Sequence, residues 1–268
     1  MIIIRLIGGL GNQCFQYAVG RHLSEIHHSK LKIDISEFET YKLHAYSLNH
    51  YNIIENFATS EDVVELKHVR EKHFHFDSEI LHLPNGIYLH GYWQSEKYFA
   101  SIAEIIRHEL TIKSPLSGKD KEIAEQIISC EAVSVHIRRV DYLPNTYTEQ
   151  LLETCSLDYY LYSVEHIAHT VNKPHFFVFT DDKAWVRENF QLPYHITFVD
   201  HNGPDKNYED MRLMSLCKHN IIANSSFSWW GAWLNNNPDK IVFAPNKWFT
   251  EKAHSSSKDI IPDSWIKT

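Results

Sequence analysis

The sequence predicts an α/β protein of two lobes, each built on a parallel sheet and facing a central cleft. Three observations carry that expectation. Residues 1–35 read as strand, glycine loop, helix and strand. The second half alternates apolar strands with helices. Between the halves, Lys113-Ser-Pro-Leu-Ser-Gly118 has turn chemistry, so residues 1–118 and 119–268 are read as separate lobes.

Ile2, Ile3, Ile4 and Leu6 make an apolar run, as in a strand buried on both faces. Gly8-Gly9-Leu10-Gly11 interrupts it. Phe15, Ala18, Val19, His22, Leu23 and Ile26 then recur at helical spacing, and Leu31-Lys-Ile-Asp34 is the next strand. A βαβ unit of this kind implies parallel strands. Residues 36–90 hold short aromatic-rich pieces, with a helix predicted near 60–72 and a strand at 87–90. Helices follow at 96–110 and 119–129. In the second half, strands are predicted at 132–137, 175–180, 196–199, 219–223 and 240–244. The helices there fall at 157–170, 183–190, 208–218 and 227–235. In doubly wound sheets, ligands bind beyond the carboxyl ends of the strands.

Composition excludes several classes. The 268 residues are 43 % apolar and 22 % charged, an ordinary globular balance. No apolar run approaches the roughly 20 residues needed to span a bilayer, and no secretory signal is visible. The net charge of −8 argues against a nucleic-acid partner. Cys14, Cys130, Cys155 and Cys217 are scattered without a C-x-x-C pair and are read as free thiols. The 19 histidines, with clusters at His27-His28 and His73-Phe-His75, lack any zinc-ligand spacing, so no metal site is expected.

Three clusters fall at predicted strand ends. The first is Gly8-Gly9-Leu10-Gly11-Asn12-Gln13, where glycines admit a close ligand and a helix N-terminus attracts anions. A dinucleotide fingerprint on Gly9, Gly11 and Asp34 would need a small third residue where Cys14 stands. The second is His136-Ile-Arg138-Arg139-Val-Asp141. Alternation puts His136 and Arg138 on one face. Buried arginines need a partner or an anionic ligand, and a diphosphate fits them; Arg139 with Asp141 also reads as an ion pair. The third runs from Asp210 to Asn224-Ser225-Ser226-Phe-Ser228, where Ser225 or Ser226 reads as a helix N-cap and a second phosphate cradle. Trp229, Trp230 and Trp233 read as core. There is no D-x-D, and Asp181-Asp182 are expected to point to opposite faces, so no metal-chelating nucleotide-sugar site is evident.

These residues resemble the α-1,2-fucosyltransferase family, its bacterial members especially. The matching segments are GGLGNQCFQYA (8–18), GYWQSEKYF (91–99), VSVHIRRVDY (133–142), FTDD (179–182) and LMSLCKHNIIANSSFSWWGAWL (213–234). Val140 and Cys14 depart from the usual residues without removing a chemical group. The resemblance implies a GT-B-like fold of two Rossmann-like lobes. It implies inverting transfer of L-fucose from GDP-β-L-fucose to the 2-hydroxyl of a terminal galactose, with no cofactor and no essential metal. By the resemblance, Arg138 grips the β-phosphate and Asn12 lies beside phosphate and fucose. Gly9, Gly11, Gln13, His136, Arg139, Asp210, Asn224, Ser225, Ser226 and Ser228 complete the donor set. The base stays open: Asp141, near in sequence, is one candidate and an unassisted dissociative path is the alternative; Tyr92, Trp93 and Gln94 mark the acceptor side in the first lobe. The partners expected are the nucleotide sugar and a galactose-terminated glycan. The family points to a cytoplasmic enzyme of O-antigen or capsule assembly; peripheral contact with the bacterial inner membrane stays open, since no basic amphipathic helix announces it. The rival readings are another fucosyl linkage such as α-1,6, another GDP-sugar transferase, a nicotinamide oxidoreductase and a carbohydrate-binding module.

Overall fold

The structure is a computed structural model that describes residues 1–41, 43–139, 154–250 and 257–268. The chain divides into two compact units, Met1–Ser114 with Ser256–Pro262, and Pro115–Ser255 with Asp263–Thr268. Both are α/β with parallel sheets, as the alternation predicts.

The first unit carries a four-stranded sheet in the order β2-β1-β4-β3, from Ile2–Arg5 (β1), Leu31–Asp34 (β2), Lys67–Arg70 (β3) and Ile87–His90 (β4). All its pairings are parallel. The strand order reverses between β1 and β4, and that switch point is where such sheets open a crevice. Helix α1 (Leu10–Ile26) crosses from β1 to β2 and is buried on nearly every side. Its close approach is made at Gly20, where an added Cβ would meet Ile4 Cγ2 at 2.9 Å and Leu31 Cδ1 at 3.1 Å. Its buried polar groups are paired within the unit: Arg21 Nε donates to Glu109 (2.9 Å), which also accepts from Tyr17 Oη. Residues 257–262 pack with this unit. Asp259 there accepts from Phe76 N (3.2 Å) and pairs with Lys97.

The second unit carries six parallel strands: Glu131–Ile137 (β5), Pro174–Thr180 (β6), His195–Val199 (β7), His219–Ile221 (β8), Val242–Ala244 (β9) and Ile266–Lys267 (β10). Their order is β10-β9-β8-β5-β6-β7. Counted within the unit this is 3-2-1-4-5-6, the doubly wound dinucleotide-fold order, with its switch point between β5 and β8. Alternation builds two cores. Val133, Val135, Ile137, Phe176 and Val178 face Tyr160, Val164 and Ile167 of the helix Leu157–Thr170. Ala132, Phe177 and Phe179 face Ile123, Ala124 and Ile127 of the helix Gly118–Ile128, with Leu213 and Met214 of the helix Asn207–Leu216. Each large side chain so buried contributes about 1.5–3 kcal/mol.

Two expectations are corrected. The helix predicted near 60–72 is a single turn, Ser60–Val64, followed by strand β3. This strand shows only Val69 half-buried, so its residues carry no apolar period; its ladder with β4 makes it a strand. The helix predicted at 96–110 is two 3-10 turns, Glu96–Tyr98 and Ala100–Ile102, and a short α-helix from Ala103 to Glu109. Phe99, fully buried and non-helical at φ −142°, separates the two turns.

Candidate functional site

In the first unit, the glycine loop follows β1 and the Gly91–Gln94 turn follows β4, so both stand at the switch point. Gly8 adopts φ +74°, which favours glycine. Gly9 is the N-terminal cap position of α1 and has no side chain to cap it, and Gly11 is buried in its first turn. Asn12 Oδ1 accepts from Gln94 Nε2 at 2.8 Å, so the two motifs meet.

Several first-unit residues have work inside the protein. Gln13 is fully buried; its Nε2 donates to Gly8 O and Ala45 O, each at 2.9 Å, and its Oε1 accepts from Ser47 N. Its amide is spent as a staple between the glycine loop and the Ala45–Ser47 segment. Gln16 plays the same part, accepting from Ile7 N and donating to Gly91 O at 3.0 Å. Asp34 accepts from Tyr88 Oη (2.6 Å) and Ser36 N (2.9 Å), so its carboxylate is not held out for a ribose. Trp93 is 1 % exposed and packs edge-on against Tyr98, which rules out its ring as a sugar platform in this conformation. Its backbone sits at φ +56°, a left-handed geometry that costs on the order of 1–3 kcal/mol in a bulky residue. Tyr92 is half-buried beside Phe74.

In the second unit, the second and third clusters meet across the switch point between β5 and β8. His136 closes β5 and its ring lies 5.6 Å from that of Phe227, in the first turn of the helix Ser226–Leu234 (the serine helix). Burial, and then the nearby Arg138 charge, push the His136 pKa down to about 3, so the imidazole is neutral. Its Nδ1 is buried and has no hydrogen-bond partner among the described residues. Half-buried Arg138 follows the strand. Arg139 is committed elsewhere. Its N–H donates to Asp181 Oδ1 at 2.8 Å, its Nε lies 3.5 Å from Asp182 Oδ2, and its guanidinium stacks 3.6 Å over the Trp185 ring. Both aspartates therefore converge on one arginine. The expected opposite facing fails because β6 ends at Thr180, before strand alternation reaches them. Asp141 lies outside the described residues.

Ser225 is the cap position of the serine helix, but its hydroxyl makes no capping bond. Ser228 Oγ donates to Ser225 O at 3.4 Å. Ser226 is half-buried at the first helical position. Asn224 is 2 % exposed, with Nδ2 on Trp248 O (3.1 Å) and Oδ1 facing Cys155 Sγ (3.4 Å). It shapes the turn before the helix.

Sequence reasoning missed a polar cluster around Asp210. Asn202 Nδ2 donates to both Asp120 Oδ1 and Asp210 Oδ1, each at 2.8 Å, and His201 Nε2 lies 2.8 Å from Asp120 Oδ1. Nothing in the spacing of 120, 201, 202 and 210 announces this. Burial first, with the Asp120 charge, pushes Asp210 up to about 6, against the Asn202 bond and His201. The unfolded carboxyl titrates near 3.8. The folded state thus holds the extra proton between those values, and stability falls as pH rises from about 4 to about 6. Asp210→Asn is expected to flatten that slope and add about 1–3 kcal/mol at pH 7, read by thermal melts across pH.

All four cysteines are free. Among the described residues, no group of three or more His, Cys, Asp or Glu gathers as a metal site, and no helix is long and apolar enough to cross a membrane.

The model of glycosyl transferase family 11 matches residues 1–268. An Escherichia coli alpha-1,2-colitosyltransferase is 34 % identical over 290 residues, covering 100 % of this chain and 98 % of the relative. The O-antigen biosynthesis glycosyltransferase WbnK of Escherichia coli is 32 % identical over 302 residues, with 97 % and 98 % covered. A crystal structure of NodZ alpha-1,6-fucosyltransferase, a Bradyrhizobium protein, soaked with GDP-fucose, superposes with a TM-score of 0.54. That match covers 90 % of this chain and 94 % of the other at 14 % identity, and it places this fold with the GT-B-like fucosyltransferases.

Proposed function

The chain belongs to glycosyl transferase family 11, and on that premise we propose that it transfers L-fucose from GDP-β-L-fucose to the 2-hydroxyl of a terminal galactose, with inversion and without an essential metal. The observation that carries this reading is neutral His136, its Nδ1 unpartnered among the described residues, with the Arg138 charge near it and its ring against Phe227 at the start of the serine helix. A diphosphate fits an arginine and helix N–H groups.

As the bond from the sugar C1 to the β-phosphate oxygen breaks, its electron pair stays with GDP. Arg138 and the N–H groups at Ser226–Ser228 stabilise that charge. The acceptor oxygen bonds to C1 from the opposite face, and its proton leaves to a base, for which Asp141 is the candidate. His136 and Asp210 serve the guanosine, and Asn12 orients the sugar end of the donor. The Escherichia coli relative named for α-1,2 transfer supports the linkage.

Its named sugar also favours a second reading. Colitose is L-fucose without the 3-hydroxyl, so a GDP-colitose donor would leave the same diphosphate site unchanged. Calorimetric titration with GDP, UDP and NAD in excess EDTA tests the nucleotide. Micromolar binding of GDP, weak binding of UDP and none of NAD is expected; GDP binding that requires added metal, or binding of NAD, overturns the reading. Turnover of GDP-fucose against GDP-colitose, with lactose as acceptor, then separates the two donors.

A further inference from the structure

The Gly91–Gln94 turn is held from below by a carboxylate that the reaction does not use. Glu71 follows strand β3, and its own N–H continues the ladder to His90 O at 3.0 Å. Its side chain folds back under the neighbouring turn. Oε2 accepts from Tyr92 N at 2.7 Å and Oε1 from Trp93 N at 2.9 Å. Two successive backbone N–H groups converge on one anion, as in a nest, and the backbone turns left-handed at Trp93 directly after them. Gly91 leaves room for this: a Cβ there would overlap Glu71 Cβ and lie 3.0 Å from Oε2. The next residue, Gln94, is 9 % exposed and delivers its Nε2 to Asn12 Oδ1 at 2.8 Å.

We infer that Glu71 is a positioning residue: its carboxylate fixes the strained Gly91–Gln94 turn and, through Gln94, sets the direction in which Asn12 presents its amide. The relay gives a role to the half-buried carboxylate beneath that turn. Burial pushes the Glu71 carboxyl up, while the two N–H donors pull it back down. The inference rests on the reading above, in which Asn12 lies beside the donor sugar.

A double-mutant cycle on the full chain, with GDP-fucose as donor and lactose as acceptor, tests it. Glu71→Gln is expected to lower kcat about tenfold to a hundredfold, because a misdirected Asn12 no longer meets the reacting sugar. The Kd for GDP is expected to stay within about twofold, since the nucleotide lies on other residues. In an Asn12→Ala background, the same Glu71→Gln change is expected to alter kcat by less than about twofold, because its route is already cut. Gln94→Met, which keeps the volume and removes the amide, should reproduce both results and covers the case in which Glu71→Gln fails to fold. Equal losses in the two backgrounds, or Glu71→Gln and Gln94→Met enzymes at wild-type kcat, overturn the relay alone. An Asn12→Ala enzyme with wild-type kcat overturns the relay together with the reading of Asn12.

Discussion

Arg138→Ala is expected to lower fucosyl transfer by about 10²–10³-fold while the protein keeps its fold. The residue follows β5, a strand buried along nearly its whole length, so the backbone that carries it is rigid. Its charge already depresses the pKa of His136, which places the two groups in one electrostatic neighbourhood. Its neighbour Arg139 is a useful contrast. That guanidinium lies over Trp185 and against Asp182, so Arg139→Ala should cost mainly local stability. In the proposed reading, the charge that develops on a departing diphosphate falls to Arg138. Removing a half-buried arginine at the end of a strand leaves the two cores of the unit untouched, so circular dichroism and the melting temperature should be preserved. Steady-state kinetics at saturating donor, with GDP titration alongside, give the answer. A variant that retains more than about a tenth of the wild-type rate would show that transition-state charge is handled elsewhere.

The parts of the molecule legible in the sequence are those where local pattern and tertiary burial agree. The helix at 157–170 has the expected bounds because Tyr160, Val164 and Ile167 repeat on the face that meets β5 and β6. Strands β5 and β6 read as strands because both faces are covered and apolar residues make up most of each run. Strand β3 was illegible for the opposite reason. At a sheet edge, Lys67, His68 and Arg70 need no apolar partner, and only the ladder to β4 defines the element.

The candidate site divides along a similar line. Glycine positions and the H-x-R pair are visible because few residue types satisfy those constraints. What a polar side chain does inside a motif is not visible. Asn12 and Gln13 are adjacent, yet Gln13 has both ends of its amide consumed by Gly8, Ala45 and Ser47, whereas Asn12 is tied at Oδ1 to Gln94. Asn224 and Ser225 differ likewise, one buried against Trp248 and the other capping a helix without a side-chain bond. Apart from Gly8, these partners lie 24 to 82 residues away, which local spacing does not encode.

The serine helix depends on its tryptophans in a way that can be measured. Trp229 is fully buried, with Trp230 at 5.1 Å, Trp265 at 5.4 Å and Trp233 stacked at 6.2 Å and 10°. On another side of the helix, Gly231 presses against Met214, where an added Cβ would lie 2.8 Å from Met214 Cβ. Truncating a buried tryptophan removes a large apolar area and leaves a cavity that close-packed neighbours cannot fill, at a cost of about 3–5 kcal/mol. For a chain of this size that corresponds to a fall of roughly 10 °C in melting temperature. Trp229→Ala is also expected to weaken GDP binding below the transition. Its N–H makes the first helical bond, to Ser225 O at 3.0 Å, and the tryptophan cluster sets where Ser225 and Ser226 stand relative to His136 and Arg138. Trp229→Phe keeps most of the buried area and should lose only part of both quantities. A Trp229→Ala protein that melts like the wild type and binds GDP unchanged would mean that the sheet alone positions the phosphate cradle. With the side chain fully buried and three other indoles within 6.2 Å, the expected result is loss of both.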